Sequence, residues 1–158
     1  MTITIEQIDL WRLNDPESQR LEFKEAKRQY DTSKLCEYCV ALANEGGGHF
    51  ILGIADQIPR AVVGTEAFKD ANDIASKLLE WLTFRVDVEV LDHPNGRLVI
   101  FVIPGRQLGS PYHYHGKYLM RAGGSLVPMS EDRLRAIFAE TKTDPLEEFE
   151  VSDRKSVV

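Results

Sequence analysis

The chain has 158 residues, 43% of them hydrophobic, which is enough to fill the core of one domain. A net charge of −6 and a pI near 5.2 exclude a protein that coats nucleic acid through a uniformly cationic surface, although a local basic patch stays compatible with them. No apolar run reaches the roughly 18 residues of a membrane span, the N-terminus lacks a signal-peptide pattern and two cysteines cannot build a disulfide framework, so we expect a soluble cytoplasmic protein.

Helical spacing of apolar residues predicts an N-terminal helix over residues 4–14, with Thr4 as its N-cap. The following segment, about residues 20–24, predicts a strand that places Arg20, Glu22 and Lys24 on the face opposite to Leu21 and Phe23. A buried charge in a strand is costly unless it is paired or bound to a metal. Glu22 is therefore a candidate functional residue.

A second helix and a buried strand come next. Asp31-Thr32-Ser33 supplies an N-cap, and an apolar stripe over residues 35–43 predicts the helix. Gly46-Gly47-Gly48 follows a helix and precedes a strand, the reverse of a phosphate loop, so we interpret these glycines as the helix C-cap. The apolar residues 49–55 predict a central strand covered on both faces, and this strand ends at Asp56.

The second half of the chain predicts a helix, a hairpin with Asn95-Gly96 at its turn, a short strand and a last helix. The ranges are 71–82 for the helix, 85–91 and 97–103 for the hairpin, 117–121 for the short strand and 131–140 for the last helix. Leu79 and Phe138 are predicted to face the core.

The fold class is therefore α+β, a single domain with a mixed sheet covered by helices. The predicted division is an N-terminal helix (1–16), the main domain (17–140) and an acidic tail or linker (141–158).

Several motifs, in this order, resemble the Schlafen AlbA-like domain family over about residues 9–140. They are ExxxxEFK at 17–24, ALANEGGG at 41–48, LGIAD at 52–56, IPG at 103–105 and YLMRAG at 118–123. The family includes nucleic-acid-binding regulators, domains labelled ATP-binding, and ribonucleases that act on tRNA and rRNA. In the ribonuclease branch three carboxylates form the site, and the resemblance assigns them to Glu17, Glu22 and Asp56. Gln57-Ile58 departs from the acid or glycine that many relatives have after the aspartate.

Three carboxylates can hold Mg²⁺ or Mn²⁺, because hard cations take oxygen ligands. The alternative is structural: Glu17 is a solvated loop residue, Glu22 pairs with Lys24, and Asp56 caps a turn. Lys24 shares a strand face with Glu22 and is the predicted catalytic cation, since phosphoryl transfer develops negative charge.

The predicted nucleic-acid-binding residues are cations near the acids, cations of the YLMRAG strand, and one tyrosine that can stack on a base. They are Arg20, Lys27, Arg28, Lys117, Arg121 and Tyr118. The alternative for each is a solvated or packed surface residue. Cys36 and Cys39 lie in the apolar stripe of a helix and are interpreted as buried small residues. His113-Tyr114-His115 lacks an obvious third soft ligand, so a metal site there is disfavoured.

The leading hypothesis is a Schlafen-like, divalent-metal-dependent endoribonuclease with a tRNA- or rRNA-type substrate. The alternative is a non-catalytic DNA- or RNA-binding module of a transcriptional regulator or defence protein. ATP binding is the third option, and the missing phosphate loop disfavours it. RNA is the expected partner ahead of DNA, no membrane is expected, and a homo-oligomer or fusion to further domains is compatible with the sequence.

Overall fold

A computed structural model describes residues 2–14 and 20–141 of the chain. The helices are Ile5–Asn14 (α1), Thr32–Asn44 (α2), Ala71–Leu82 (α3) and Glu131–Phe138 (α4). The strands are Leu21–Lys24 (β1), Gly48–Leu52 (β2), Asp87–His93 (β3), Gly96–Ile103 (β4), His113–Tyr114 (β5), Lys117–Ala122 (β6) and Ser125–Pro128 (β7). None of the described helices is long and apolar enough to cross a bilayer.

The strands form two sheets. The larger has the order β1-β2-β4-β3, in which β1 and β2 are parallel and the other pairs are antiparallel. The smaller sheet, β5-β6-β7, is antiparallel and its strand β6 contacts α2. The predicted α+β class with a mixed sheet and a β3–β4 hairpin is confirmed.

The larger sheet is covered on both faces because its central strands alternate between two apolar clusters. Phe50 and Leu52 of β2 join the cluster formed with α2 and α3. Ile51 between them joins Ile8 of α1 and Phe23 of β1 in the second cluster, which we call the α1-side cluster. The prediction that β2 is a central, doubly covered strand is confirmed.

Local sequence signals set the ends of the helices. The Asp31 carboxylate accepts a hydrogen bond from the Lys34 backbone amide at the start of α2. At its end, the amides of Gly46 and Gly47 donate to the carbonyls of Ala43 and Leu42, which is a Schellman cap. The interpretation as a C-cap rather than a phosphate loop is confirmed for Gly46 and Gly47, while Gly48 is the first residue of β2.

The predicted burial of two residues, Leu79 and Phe138, is wrong. Leu79 is 44% exposed and Phe138 is 61% exposed. Both residues lie at the margin of the apolar stripe of their helix. Because successive side chains on a helix are rotated by about 100°, a residue next to the stripe points away from the core. The sequence also predicted one strand where the structure has the three-stranded sheet, because β5 and β7 are too short to show a period.

Candidate functional site

Strand β1 brings a carboxylate into the interior of the domain. Leu21 and Phe23 enter the α1-side cluster, so Glu22, paired in register with Phe50, faces α2 on the other side. Its side chain is 2% exposed. Such a group must be neutralised by nearby positive charge, since burial of an isolated carboxylate is very costly.

Two cations supply that charge. Arg121 Nη2 lies 3.6 Å from Glu22 Oε1, and Lys24 Nζ lies 3.7 Å from the same oxygen. Lys24 Nζ is also 4.0 Å from Asp56 Oδ2. The buried strand β2 ends at Leu52 rather than at residue 55 as predicted, so Asp56 lies in the loop that follows it. Arg121 is fully buried, Lys24 is 27% exposed and Asp56 is 46% exposed, so these charged side chains form a row from the core to the surface.

The ring of Tyr38 on α2 completes this group. Lys24 Nζ lies 5.3 Å and Arg121 Cζ 5.5 Å from the ring centroid, within the range of cation–π attraction. Tyr38 itself is 6% exposed. We call Glu22, Lys24, Tyr38, Asp56 and Arg121 the ion cluster. Sequence reasoning missed Tyr38, because its position in the apolar stripe of α2 gives no sign of contact with cations.

Two of the three predicted metal ligands converge on one cation, the Lys24 ammonium. The buried Glu22 Oε2 also accepts no hydrogen bond from any residue that the structure describes. Carboxylate oxygens of this kind fit Mg²⁺ or Mn²⁺, and the ammonium between them marks a position where positive charge is stabilised. Within residues 2–14 and 20–141, no three His, Cys, Asp or Glu side chains form a metal-binding group. The third predicted ligand, Glu17, lies outside the described residues.

Arg20 contacts the loop that ends α2. Its Nε donates to the Gly47 carbonyl at 2.9 Å, and its Nη2 donates to the Gly46 carbonyl at 3.0 Å. Gly48 lies so close to Arg20 that a Cβ there would stand 2.2 Å from the Arg20 carbonyl oxygen. The structure thus assigns Arg20 a contact within the fold, and its predicted role toward nucleic acid stays a prediction.

The other predicted nucleic-acid contacts are spread over the surface. Lys27 is 67% exposed and lies 3.6 Å from Glu25, and Arg28 is exposed. Lys117 is 62% exposed and donates to Glu37 at 3.1 Å, while the half-buried Tyr118 ring contacts His113. Arg121 is buried against Glu22, so it is not at the surface in this conformation. The ion cluster contains Arg121 of this predicted set and none of the other five.

Cys36 and Cys39 are free and buried, as predicted. Burial raises the pKa of the Cys36 thiol to about 11 and that of Cys39 well above its usual range. These thiols are therefore protonated at neutral pH and are poor nucleophiles and poor metal ligands.

A polar network that the sequence analysis did not predict joins α2 to the smaller sheet and to α4. The Asn44 amide donates to the carbonyls of Tyr112 and Leu119 and accepts from the Tyr112 amide. The Glu45 carboxylate accepts from the Arg121 amide and from the Arg133 guanidinium. This network fixes β6, and so it fixes the strand that carries Arg121 into the ion cluster.

A family model described as "Schlafen, AlbA_2" matches residues 17–130, which is most of the chain. The match includes β1, α2, Asp56 and β6, which supply the ion cluster. No curated protein matches the chain.

Two solved structures share the fold. The DIP2311 protein from Corynebacterium diphtheriae is 21% identical with a TM-score of 0.62, over 80% of this chain and 25% of that protein. The N-terminal domain of an ATP-dependent DNA helicase RecG-related protein from Nitrosomonas europaea is 22% identical with a TM-score of 0.54, over 78% of this chain and 87% of that domain. This chain thus spans a quarter of the Corynebacterium protein and most of the Nitrosomonas domain.

Proposed function

Because the chain belongs to the Schlafen AlbA_2 family, we propose that this nucleic-acid-related domain is a divalent-metal-dependent endoribonuclease with its reaction centre at the ion cluster. One observation carries the proposal: Glu22 of β1 and Asp56, in the loop after β2, both lie within 4.0 Å of the same Lys24 ammonium. Two carboxylates that share one partly exposed cation are suited to hold a metal ion near a phosphodiester.

Glu22, Asp56 and Glu17 are the residues that would hold Mg²⁺ or Mn²⁺. When bound, such an ion acidifies a water molecule and stabilises negative charge on phosphate oxygens. Lys24 is the group of this chain that donates to a phosphate oxygen, since its ammonium is partly exposed beside both carboxylates. Arg121 and Tyr38 are positioning residues, because they are buried and hold Glu22 and Lys24 in place.

A non-catalytic module that binds RNA or DNA is the second candidate. The buried Arg121–Glu22 ion pair favours it, because a carboxylate that is already neutralised can serve the fold alone. In that case the partly exposed Lys24 and the exposed Lys27 and Arg28 are the groups that contact phosphates.

Cleavage of a structured RNA tests the enzyme proposal. Asp56→Ala is expected to lower the rate about 10²–10³-fold, the usual loss when one charge-stabilising group is removed from a reaction centre. Its free energy of unfolding should change by less than about 1 kcal/mol, because the Lys24–Asp56 pair is half-exposed. Asp92→Ala, which removes an exposed carboxylate of β3, is the matched control and should cleave like the wild type. Undiminished cleavage by Asp56→Ala, or in excess EDTA, contradicts the proposal.

Lys24→Ala separates the enzyme from the binding module. Lys77→Ala, which removes a half-exposed lysine of α3 outside the predicted nucleic-acid contacts, is the control for loss of a surface lysine. For the enzyme, kcat should fall more than RNA affinity, because the ammonium acts mainly on the transition state. For the module, affinity should fall and the salt dependence of log K should flatten by about one unit. If neither cleavage nor binding differs from the wild type, Lys24 has neither role.

A further inference from the structure

A concave site lies apart from the ion cluster. It is a groove of about 860 Å³. One side is formed by residues 81–87, from the end of α3 to the start of β3, and the other by residues 102–115, from the end of β4 into the smaller sheet. The volume is within the roughly 300–1,000 Å³ of small-molecule and cofactor pockets. No residue of the ion cluster lines it.

The groove has a rigid aromatic surface. Asn44, which is 2% exposed, holds the Tyr112 backbone through both its carbonyl (2.9 Å) and its amide (2.8 Å). The Tyr112 ring packs on Phe84 with 4.6 Å between centroids, so the ring pair joins the two sides of the groove. The Tyr112 hydroxyl also accepts a hydrogen bond from the Gln107 amide at 3.3 Å. A ring fixed at its backbone, face and hydroxyl is preorganised for contact with a ligand.

Exposed groups of complementary chemistry surround this pair. Trp81 is 41% exposed, and Arg85 on the same side has an exposed guanidinium. His113 and His115 are exposed on the other side. Asp87 is the single acid among the described residues that line the groove. Flat rings next to a cation and imidazoles suit a ligand that combines a planar heterocycle with an anionic group.

We propose that this groove binds an unpaired nucleotide of a single-stranded nucleic acid, with its base stacked on Trp81 and its phosphate held by Arg85. Base stacking on aromatic side chains and cationic contact with the backbone are the two elements of single-strand recognition. Arg85 and the two histidines favour this occupant over a proline-rich peptide, because such a peptide docks on aromatic rings through its extended helix and brings no phosphate for the cation to bind. The inference rests on the proposed function, because it supplies that function with a place for single-stranded substrate.

The chain contains two tryptophans, which makes a direct experiment available. Trp11 lies on α1 against the ring of His49 and packs on the α1-side cluster, so Trp11→Phe leaves Trp81 as the sole tryptophan reporter. An eight-nucleotide oligouridine, labelled for anisotropy, is added in EDTA, and its binding is recorded together with Trp81 fluorescence. We expect the anisotropy to rise while Trp81 is quenched, and a duplex of equal length to leave Trp81 unchanged.

Substitution gives the second arm. In the wild-type background, Trp81→Ala should weaken oligouridine binding roughly 5- to 150-fold, the range for loss of one stacked base, and Trp81→Phe should retain most of it. Leu79→Ala, which removes an exposed apolar side chain of the same helix outside the groove, should bind like the wild type. A rise in anisotropy with unchanged Trp81 fluorescence overturns the groove and leaves the proposed function standing. Absence of any oligouridine binding also overturns the groove, while cleavage of structured RNA with metal present decides the proposed function separately.

Discussion

Arg121→Met tests whether the buried ion pair holds the candidate site together. Arg121 is fully buried and Glu22 is 2% exposed, so the substitution leaves a carboxylate in the interior. At 3.6 Å, with an effective dielectric near 20, the Coulomb attraction is about 5 kcal/mol. Loss of one partner of a buried pair costs about 3–5 kcal/mol of stability. Because Lys24 Nζ remains 3.7 Å from Glu22, we expect the lower end, about 3 kcal/mol.

The assay is equilibrium unfolding in urea, followed by circular dichroism. Arg135→Met is the matched control: Arg135 is 69% exposed and pairs with Glu131 and Asp132 on the same helix, so its loss should cost less than about 0.5 kcal/mol. The double variant Glu22→Leu/Arg121→Met should be more stable than the sum of the single losses implies, by about 1–3 kcal/mol. If Arg121→Met lowered the free energy of unfolding by less than about 1 kcal/mol, the prediction would be refuted, because the loss of a partner from a desolvated ion pair costs more than that.

Two further predictions concern the frame around the site. Gly48→Ala should lower the free energy of unfolding by about 1–3 kcal/mol in the same urea assay, because a Cβ would stand 2.2 Å from the backbone oxygen of Arg20; wild-type stability would contradict this contact. The hydrogen bond from His93 holds the pKa of Asp9 below its ordinary 3.8. The ionised carboxylate therefore stabilises the fold above pH 3.8, and this stabilisation is lost as the pH falls through the lower pKa that Asp9 has in the folded protein. Asp9→Asn should therefore be less stable than the wild type at pH 6, with a difference that shrinks below pH 3.8 in thermal unfolding; a gap independent of pH would contradict it.

Elements with strong local signals could be predicted from the sequence. The bounds of α3 follow from the spacing of its apolar residues. β3 and β4 follow from apolar runs around an Asn-Gly turn, although β3 begins at Asp87 rather than at residue 85. β2 was predictable because a continuous apolar run needs cover on both faces. The smaller sheet was not, since β5 has two residues and β7 ends in Pro128, so neither shows the alternation that identifies a strand.

The candidate site could be predicted only in part. The position of Glu22 between two apolar neighbours predicted its face, and the end of the apolar run predicted the place of Asp56. The burial of Arg121 could not be predicted, because it depends on β6 packing against α2 through Asn44 and Glu45, about 76 residues away in the chain. Long-range packing of this kind leaves no periodic signal in a single sequence.

Binding of Mn²⁺ tests the central claim most directly, because it does not depend on the RNA substrate. Free Mn²⁺ is measured by electron paramagnetic resonance as the ion is titrated into the wild-type protein, Asp56→Asn and the control Asp92→Asn. We expect the wild type and the control to remove Mn²⁺ from solution in stoichiometric amounts. Asp56→Asn should bind Mn²⁺ at least about tenfold more weakly, because the substitution neutralises one oxygen ligand. Equal binding by all three proteins, or no binding by the wild type, would contradict a metal site at Glu22 and Asp56.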